Sequence, residues 1–450
     1  MNLKTVKNIY FLGIGGIGMS ALARYFNFYG KKVSGYDRTP SPLTDRLIQE
    51  GIDIHFTDSV DLIPDKTELI IYTPAIPADH KEFQYLKTTA IPMLKRSEIL
   101  GEISKDYFTI AIAGTHGKTT ITSMVAHILK YNNVAVNAFI GGIANNFASN
   151  LVLSENAKVM VVEADEFDRS FLTLHPNIAV ISSMDADHLD IYSNAQLLKD
   201  SFFMFSEQIH DEGWLISQCS LDVSPGFKGS YQSYSASSQA DFYADHIRIE
   251  KGRTLFEWKA KEQTLATIRL QLPGNHNVEN AIAASVACLK YGLSADKIAE
   301  ALFHYKGVHR RFEFLIQTDD LVMIDDYAHH PTEIKACLQA ARSLFPSKKI
   351  TAVFQPHLFS RTRDFMDDFA NVLSQFDELI LLDIYPAREK PIEGVDSKVL
   401  LEKVILANKR LCAKEELVDC VNANQTEVLI MMGAGDIDRL LEPVKIKLLS

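Results

Sequence analysis

Short apolar runs alternate with helical patterns along this chain, and two of the runs end in glycine-rich loops. Asn8–Leu12 predicts a buried strand, and Ile17–Tyr29 predicts a helix that ends near Gly30. The alternation starts again at Tyr107–Ala113 and a third time near Glu313. Repeated strand–helix alternation favours parallel sheets with helices on their faces. The sequence therefore predicts an α/β protein.

The three starts predict three domains, with residues 1–105, 106–308 and 309–450. A chain of 450 residues is long enough for them, at about 100–200 residues per domain. Residues 242–272 alternate between apolar and polar, which predicts antiparallel strands appended to the parallel sheet of the second domain. Further strands are predicted at Lys32–Tyr36, Leu69–Tyr72, Val134–Ala138, Val159–Glu163, Ile178–Ser182, Leu321–Ile324, Ile350–Phe354, Glu378–Asp383 and Glu427–Met432.

The first glycine-rich loop has the pattern G-x-G-x-x-G, with Gly13, Gly15 and Gly18 at the glycine positions and Gly16 between them. It follows a predicted strand and opens a predicted helix, and Asp37 ends the second strand. Such a loop lets the backbone approach a diphosphate at the helix N-terminus. It indicates the diphosphate of a nucleotide without specifying NAD, and the alternative is a tight turn that binds nothing.

The second loop runs from Gly114 to Thr120 and ends as a P-loop does, with Gly117, Lys118 and Thr119 after a strand. The strict pattern requires a glycine where this chain has Ile112. The chemical parts are nevertheless present. Backbone N–H groups can hold phosphates, Lys118 can neutralise the β- and γ-phosphates, and the Thr119 hydroxyl can reach Mg²⁺. We therefore predict a nucleoside triphosphate site, with a helix N-terminus that carries a lysine by chance as the alternative.

Two acidic segments follow strands of the same predicted sheet. Glu163-Ala164-Asp165-Glu166 comes after one strand, and Asp185-Ala186-Asp187-His188 comes after another. Carboxylates at strand ends beside a P-loop are suitable ligands for Mg²⁺. Glu163 is therefore a candidate metal ligand, together with Thr119. His188 is a second candidate, although a single histidine there is more often a capping residue.

Polar residues also cluster late in the chain. Asn280 lies in a helix that follows Gly274-Asn275-His276-Asn277, and Arg310-Arg311 closes the middle third. The segment from Asp325 to Pro331 follows a predicted strand, and His357 and Arg361 follow the next. Ligands bind at the carboxyl ends of strands in open α/β sheets, which favours a site here. The alternatives are turn residues, solvated arginines or a metal site at His329 and His330, for which no third ligand has suitable spacing.

Composition excludes several classes of function. The net charge is 46 − 57 = −11, which disfavours binding to nucleic acid or to an anionic membrane. Five widely spaced cysteines indicate free thiols in a reducing compartment, so we expect a cytoplasmic protein. The N-terminal apolar stretch imitates a signal peptide, but its four glycines weaken a helical core, and no run reaches the ~20 apolar residues of a membrane span.

Taken together, these segments resemble the Mur ligases. The matching segments occur in family order over nearly the whole chain and include the shorter G-T-x-G-K-T form of the P-loop. They are GIGGIGMSALA from Gly13, AGTHGKTT from Ala113, EADEFDRSFL from Glu163, DADHLDIY from Asp185, LPGNHNVENA from Leu272, GVHRRFE from Gly307, DDYAHHPTE from Asp325, QPHLFSRTRDF from Gln355, PIEGVDS from Pro391 and MGAGDI from Met432.

The resemblance implies an ATP-dependent ligase of peptidoglycan precursor synthesis with three domains. A Rossmann-like N-terminal domain would bind a UDP-sugar, a P-loop ATPase-like central domain would bind ATP and Mg²⁺ (or Mn²⁺), and a Rossmann-like C-terminal domain would bind the amino acid. The motif set is closest to members that join L-alanine to the lactyl carboxylate of UDP-N-acetylmuramate. The small-molecule substrates would then be UDP-N-acetylmuramate, L-alanine and ATP, and the enzyme would be a monomer or a homodimer.

The resemblance also implies roles for individual residues. Lys118, Glu163, His188 and Arg361 are implied to be catalytic, and Thr119, Glu163 and His188 to be metal ligands. The implied ATP site comprises Gly114, Thr115, His116, Gly117, Lys118, Thr119, Thr120, Asn280, Arg311 and Asp326. The implied UDP-sugar site comprises Gly13, Gly15, Gly16, Gly18, Asp37 and Thr73. The implied amino-acid site comprises Tyr327, His330, His357 and Arg361.

The chain departs from the family pattern in a few places. Leu358 stands where an arginine is expected, so Arg361 or Arg363 would have to contact the substrate carboxylate. Asp168-Arg169 stands where small residues are common. Some relatives carry a carbamylated lysine that bridges two metals, but this chain has Phe203 at the expected offset.

Three rival functions predict different activities. A nicotinamide-dependent oxidoreductase would use the Gly13–Gly18 loop but leaves the P-loop unexplained. A P-loop switch protein leaves the first and third domains unexplained. Within the family, a related ligase attaches a recycled tripeptide to the same sugar.

Overall fold

The computed structural model describes residues 3–185, 195–223, 228–236, 240–387, 389–421 and 425–450, without the side chains of residues 167, 168 and 195. The chain forms two compact units. The first comprises Met1–Ala244, Trp258–Ala266 and Asn280–Tyr305, and the second comprises Asp245–Glu257, Thr267–Glu279 and Lys306–Ser450. Among the described residues the strands form three sheets, most of whose pairings are parallel, as the sequence predicts.

The first sheet has five parallel strands in the order β3-β2-β1-β4-β5. The strands are β1 (Asn8–Leu12), β2 (Lys32–Tyr36), β3 (Asp53–His55), β4 (Leu69–Tyr72) and β5 (Met93–Lys95). The helices are α1 (Ile17–Phe28), α2 (Pro42–Gln49), α3 (Lys81–Lys87) and α4 (Arg96–Ser104). The strand order reverses between β1 and β4, and ligands of open α/β sheets bind at such a reversal. The glycine-rich loop follows β1 at this point.

The second sheet has the order β15-β14-β13-β12-β11-β10-β6-β9-β7-β8. The strands are β6 (Phe108–Ala113), β7 (Val136–Ala144), β8 (Ser149–Val152), β9 (Val159–Ala164), β10 (Ile178–Ile181), β11 (Trp214–Gln218), β12 (Ser230–Ser235), β13 (Phe242–Glu250), β14 (Arg253–Ala260) and β15 (Gln263–Leu270). The helices are α5 (Lys118–Tyr131), α6 (Ala195–Ser206), α7 (Asn275–Tyr291) and α8 (Ala295–Phe303). Its central strands are nearly continuous apolar runs because both faces are buried.

The predicted antiparallel extension of this sheet is confirmed. Two residues join β13 to β14, and two join β14 to β15, and neighbouring strands with such short links must run antiparallel. Lys251 and Gly252, which form the first link, both have positive φ, at 49° and 73°. That conformation matches the tight turn of a β-hairpin.

The third sheet has the order β16-β17-β21-β18-β19-β20, in which the edge strand β16 is antiparallel to β17. The strands are β16 (Glu313–Gln317), β17 (Val322–Asp326), β18 (Ile350–Phe354), β19 (Glu378–Leu381), β20 (Lys409–Leu411) and β21 (Val428–Met432). The helices are α9 (Pro331–Leu344), α10 (Phe359–Asp364), α11 (Met366–Leu373), α12 (Ser397–Lys403), α13 (Leu417–Cys420) and α14 (Leu441–Leu449). The four parallel pairings bring the carboxyl ends of β17, β21, β18, β19 and β20 to one edge of the sheet.

Some predicted boundaries are wrong. Asp325 and Asp326 were expected after a strand that ends at Ile324, but they are the last two residues of β17. Both are buried. Acidic residues are rarely buried, so the sequence pattern ends the strand before them. Within the described ranges, no helix has the length and apolar character needed to cross a membrane.

Candidate active site

The P-loop lies between β6 and α5 and takes its shape from two glycines with positive φ. Gly114 has φ +133° and Gly117 has φ +81°, conformations that residues with a Cβ rarely adopt. A Cβ at Gly114 would collide with Ser182, and one at Gly117 would lie 2.6 Å from the side-chain oxygen of Asn280. The loop is therefore enclosed by the end of β10 and by α7. This contact brings Asn280, a predicted ATP residue, next to the loop.

Ser183 fixes the middle of the P-loop. Its hydroxyl accepts the backbone N–H of His116 at 2.8 Å and lies 2.9 Å from the hydroxyl of Thr115. The His116 side chain is also held, because its Nε2 lies 3.1 Å from a carboxylate oxygen of Asp185. Thr120 is buried in the first turn of α5. The loop is thus ordered by side chains that follow β10.

Lys118, whose side chain is 14% exposed, lies against the buried carboxylate of Glu166, which is not among the predicted site residues. Its Nζ donates to both carboxylate oxygens of Glu166, at 2.9 and 2.8 Å, and to the carbonyl of Gly114 at 2.6 Å. Burial favours the neutral amine, but the charges of Glu166, Asp165 and Glu163 outweigh it and raise the pKa of Lys118. Lys118 is therefore held as a cation at the start of α5.

Thr119 and Glu163 lie together beside this pair. The Thr119 hydroxyl donates to the carboxylate of Glu163, 3.1 Å from each oxygen, and the Gly141 N–H donates to the same carboxylate at 2.8 Å. Burial raises the pKa of Glu163, against the lowering effect of Lys118, and the nearby Asp165 raises it further. These oxygens suit a hard divalent cation. The predicted third ligand, His188, lies outside the described residues.

The predicted UDP-sugar residues form a second cluster at the β1–β4 reversal. A Cβ on Gly13 would lie 2.5 Å from the Thr73 methyl group. The Asp37 carboxylate accepts the backbone N–H of Gly15 at 2.7 Å. Asp37 therefore holds the glycine-rich loop itself.

The other two glycines of the loop are placed by α1 and α4. Gly16 is the N-cap residue of α1 and offers no side chain to accept a hydrogen bond there, and Gly18 lies in the first turn of that helix. A Cβ on Gly18 would come within 3.1 Å of the Arg96 side chain. Arg96, which the sequence analysis missed, also lies 3.4 Å from the carboxylate of Asp165 in the acidic segment. Arg96 therefore stands between the glycine-rich loop and the carboxylates around Lys118.

The second unit contains a buried centre of its own around Arg310 and Asp325. Arg310 Nε lies 3.2 Å from Asp325 Oδ2, and Arg310 Nη2 donates to the carbonyl of Gly433 at 2.7 Å. Burial raises the pKa of Asp325 to about 7, although Arg310 lowers it, and the adjacent Asp326 raises it further. This arginine fixes the end of β17 against the end of β21. Only its neighbour Arg311 is among the predicted ATP residues.

The predicted ATP residues of this unit lie beside that centre. Asp326 accepts the N–H of Phe312 at 2.8 Å and the N–H of Ala328 at 2.7 Å. Burial raises its pKa to about 6, against the lowering effect of Arg311. Arg311 is one-third exposed and lies 3.6 Å from Glu333. The guanidinium group of Arg311 is 5.1 Å from the ring centre of Tyr327, which is within cation–π range.

The predicted amino-acid residues follow β17 and β18 in the same unit. His330 is buried, and its Nδ1 accepts the N–H of Thr332 at the start of α9. The His357 ring stacks on Tyr385 with centres 5.7 Å apart. Arg361 is 7% exposed, whereas the side chain of Arg363 is 55% exposed and pairs with Asp364 at 2.8 Å. Arg361 is thus the more enclosed of the two arginines.

The departure at Leu358 has a structural counterpart. Leu358 has φ +73° at the N-terminus of α10, a conformation that is rare for a residue with a Cβ. Its N–H donates to the carbonyl of Tyr385 at 3.0 Å, and its carbonyl accepts from Thr362. The backbone after His357 is therefore held in this turn by its neighbours.

Three models of Mur ligase domains match consecutive parts of the chain. "Mur ligase family, catalytic domain" matches residues 8–108, "Mur ligase middle domain" matches 112–288, and "Mur ligase, glutamate ligase domain" matches 310–435. Among similar proteins, a UDP-N-acetylmuramate–L-alanine ligase of Christiangramia forsetii is 49% identical over 100% of this chain and 99% of its own length. One of Flavobacterium psychrophilum is 51% identical over 99% of each chain.

Solved structures agree with these matches. The UDP-N-acetylmuramate–alanine ligase of Thermotoga maritima superimposes with a TM-score of 0.83 at 27% identity and covers 98% of each chain. A murein peptide ligase of Psychrobacter arcticus also covers 98% of each chain, with a TM-score of 0.72 at 22% identity. At that identity the second match supports the fold alone.

Proposed function

This chain belongs to the Mur ligase family, and we propose that it joins L-alanine to the lactyl carboxylate of UDP-N-acetylmuramate with consumption of ATP. The observation that carries the proposal is the buried P-loop, where Lys118 and Thr119 face Glu166 and Glu163. Relatives that are about half identical over the full length are named as ligases of this specificity. The reaction would supply a precursor of peptidoglycan.

The proposed chemistry activates a carboxylate, which is a poor electrophile. An oxygen of the lactyl carboxylate attacks the γ-phosphorus of ATP, the bond to the bridging oxygen breaks, and ADP leaves. The product is an acyl phosphate. The amine of L-alanine then attacks the carbonyl carbon of the acyl phosphate, the C–O bond to the phosphate breaks, and the phosphate leaves with the proton that the amine loses as the amide forms. Phosphoryl transfer of this kind needs positioning and charge neutralisation rather than a covalent enzyme intermediate.

Lys118 would supply positive charge to the phosphates. Its Nζ is a compact cation with three donors, held by Glu166 and the carbonyl of Gly114. Because the neighbouring carboxylates raise its pKa, it stays protonated at neutral pH. The N–H groups of Gly117 and Thr119 at the start of α5 would add the favourable dipole of a helix N-terminus.

Mg²⁺ fits the oxygen donors beside Lys118, and we assign it to Thr119 and Glu163, with His188 as a further ligand. Glu163 is a partly buried carboxylate whose pKa is raised by desolvation, so a divalent cation would relieve the cost of its charge. When bound, Mg²⁺ would neutralise negative charge that develops on the phosphate oxygens. Mn²⁺ shares the preference for oxygen ligands and could replace it.

The remaining substrates are assigned to the other two clusters. The Gly13–Gly18 loop, with Asp37 and Thr73, would take the diphosphate of the sugar nucleotide. His357, His330, Tyr327 and Arg361 would bind L-alanine, with Arg361 on its carboxylate. These assignments correspond to domains 1–105, 106–308 and 309–450, of which the central one binds ATP through the P-loop and Asn280. We expect the reaction in the cytoplasm and a monomer or a homodimer.

The direct test omits one substrate at a time. Release of ADP should require UDP-N-acetylmuramate and L-alanine together, and mass spectrometry should find the sugar nucleotide extended by one alanine. ATP hydrolysis without either substrate would favour a P-loop switch. Hydride transfer to NAD would favour the oxidoreductase, and turnover with a tripeptide but not with alanine would favour the related ligase.

Arg361→Ala and Arg363→Ala form a matched pair for the amino-acid site. Loss of a hydrogen bond to a charged group costs about 1.5–3 kcal/mol, so Arg361→Ala should raise the KM for L-alanine by roughly tenfold or more and leave the KM for ATP unchanged. Arg363→Ala removes an exposed side chain and should change neither. Circular dichroism would verify that both variants fold. The reverse pattern would assign the carboxylate to Arg363.

A further inference from the structure

Two cysteines of the second unit lie close enough to react with each other. Cys412 follows the edge strand β20, and Cys420 ends α13, with seven residues between them. The Cys412 thiol donates to Cys420 Sγ across 2.9 Å. A disulfide bond is about 2.05 Å long, so the two sulfur atoms need to approach by less than roughly 1 Å.

The backbone around the two cysteines is anchored on both sides. The N–H of Cys412 donates to the carbonyl of Leu381 in β19 at 2.9 Å. Arg410 Nη2 donates to the carbonyl of Cys420 at 2.6 Å, and Arg410 Nη1 lies 3.3 Å from Glu378. These contacts involve residues of β19 and β20, and they hold the backbone of both cysteines so that the two sulfur atoms stay close to each other.

The two thiols differ in their access to solvent. Cys412 is 3% exposed, and burial, together with its hydrogen bond to Cys420, raises its pKa to about 12. Cys420 is half-buried and lines a cavity of about 580 Å³ whose wall includes Arg410 and Lys447. A small molecule can therefore reach Cys420 first, while Cys412 lies behind it.

We propose that Cys412 and Cys420 are an oxidative modification site that forms a reversible disulfide by exchange with a low-molecular-weight disulfide of the glutathione class. The Cys420 thiolate attacks one sulfur of the small disulfide, the S–S bond breaks, and one small thiol leaves. Cys412 then attacks the Cys420 sulfur and expels the second small thiol. Two protein thiols are oxidised, one small disulfide is reduced to two thiols, and the two cysteine protons pass to those thiols.

The site is separate from the proposed reaction centre. Lys414, between the two cysteines, pairs with Asp436 at 2.6 Å, and Asp436 accepts from the Gln355 amide at 3.0 Å. The hydrogen bonds described for the two cysteines go to each other, Ala413, Leu381 and Arg410, and none of these is a residue assigned to ATP or to the amino acid. Cys412→Ser and Cys420→Ser should therefore leave turnover unchanged, so failure of this proposal can be distinguished from failure of the proposed function.

The test treats the native full-length chain with glutathione disulfide and identifies the products by mass spectrometry. The wild-type chain should lose the mass of two hydrogen atoms and give a peptide that links Cys412 to Cys420. Cys412→Ser should instead retain one glutathione on Cys420. Cys420→Ser should leave the buried Cys412 unmodified, and Cys219→Ser, at a half-buried cysteine elsewhere, should behave like the wild type. Dithiothreitol should restore both thiols.

Either of two results would overturn the proposal. One is a wild-type chain that keeps a stable glutathione adduct on Cys420, which would mean that Cys412 does not displace it. The other is a wild-type chain in which Cys412 and Cys420 both remain free thiols, while Cys412→Ser takes up glutathione at a cysteine other than Cys420. Unchanged circular dichroism of each variant would verify that the products come from the folded chain.

Discussion

Each of the two compact units contains a buried cation paired with a buried carboxylate, and the two pairs differ in their surroundings. Lys118 lies 2.8 Å from Glu166 in the first unit, and Arg310 lies 3.2 Å from Asp325 in the second. The side chains of Lys118 and Arg310 are 14% and 11% exposed. Burial alone therefore does not distinguish a reactive pair from a structural one.

The difference lies in what else surrounds each cation. Lys118 has Glu163 and Asp165 near it in addition to Glu166, so negative charge exceeds positive charge at the P-loop. Arg310 also has a second carboxylate nearby, Asp438 at 3.9 Å, but it donates in addition to the carbonyl of Gly433 and so joins the ends of two strands. An arginine offers a planar set of fixed donors, whereas a lysine offers a compact charge on a flexible stem. The first centre is suited to recruiting a cation and a phosphate, and the second to holding a scaffold.

The largest expected effect is on stability, from Arg310→Met. This change leaves Asp325 buried without the guanidinium group, and breaking a buried pair in this way costs about 3–5 kcal/mol. Hydrogen exchange of β17 and β21 should show this loss as a lower opening free energy. Arg342→Met is the control, because its pair with Asp377 at 2.8 Å is one-third exposed and should contribute about 0–1 kcal/mol. Equal losses in both variants would mean that Arg310 does not hold the sheet.

Lys118→Ala should affect catalysis and leave the fold intact. Removal of one charged contact to a transition state costs about 2.7–4 kcal/mol, or 10²–10³ in turnover. Steady-state release of ADP measures the loss. Lys130→Ala, at the exposed end of the same helix, should keep full turnover. Turnover of Lys118→Ala within tenfold of wild type would contradict the assignment of the phosphate site.

The sequence predicts the fold where burial leaves a simple pattern. The central strands β6, β9 and β10 are apolar except for Thr109 and Glu163 and were recognised, as was the alternation of β13–β15. The three-residue strands β3, β5 and β20 were not predicted. They contain charged residues and have partly exposed side chains, so neither an apolar run nor an alternation marks them.

The site is predictable where chemistry fixes the spacing. The P-loop pattern identifies Lys118 and Thr119, and a carboxylate after the neighbouring strand identifies Glu163. Glu166 could not be singled out, because the chain leaves the strand after Ala164 and a two-residue period no longer tells which acidic side chain points inward. Arg96 and Arg310 were missed because their partners, Asp165 and Asp325, are distant in sequence.

Stability should also depend on pH, through Asp325. Its folded pKa of about 7 lies above the ordinary value of 3.8, so the folded state binds more protons between these values. The contribution of Asp325 to stability should therefore be greatest at low pH and decrease as pH rises from about 4 to 7, by at most about 1.4 kcal/mol per pH unit. Asp325→Asn should remove this slope from the opening free energy of β17, corrected for intrinsic exchange.

His276 also titrates in this pH range, and its effect must be separated from that of Asp325. Burial and the charge of Arg311 lower its pKa to about 4, against the raising effect of Glu333. Its contribution has the opposite sign, because the unfolded state binds more protons between about pH 4 and 6.5. Comparison of wild type with Asp325→Asn cancels this term. A difference between them that does not change from pH 4 to 7 would contradict the raised pKa of Asp325.

The smallest expected effect tests the excess of negative charge around Lys118. Arg96 and Asp165 are 26% and 37% exposed and 3.4 Å apart, so each should change metal affinity by about 0–1 kcal/mol, up to roughly fivefold. Arg96→Gln removes a positive charge and should tighten Mn²⁺ binding, whereas Asp165→Asn should weaken it. The free Mn²⁺ signal in electron paramagnetic resonance measures both, and high salt should reduce both effects. Changes of the same sign would mean that these residues act through the shape of the P-loop region rather than through charge.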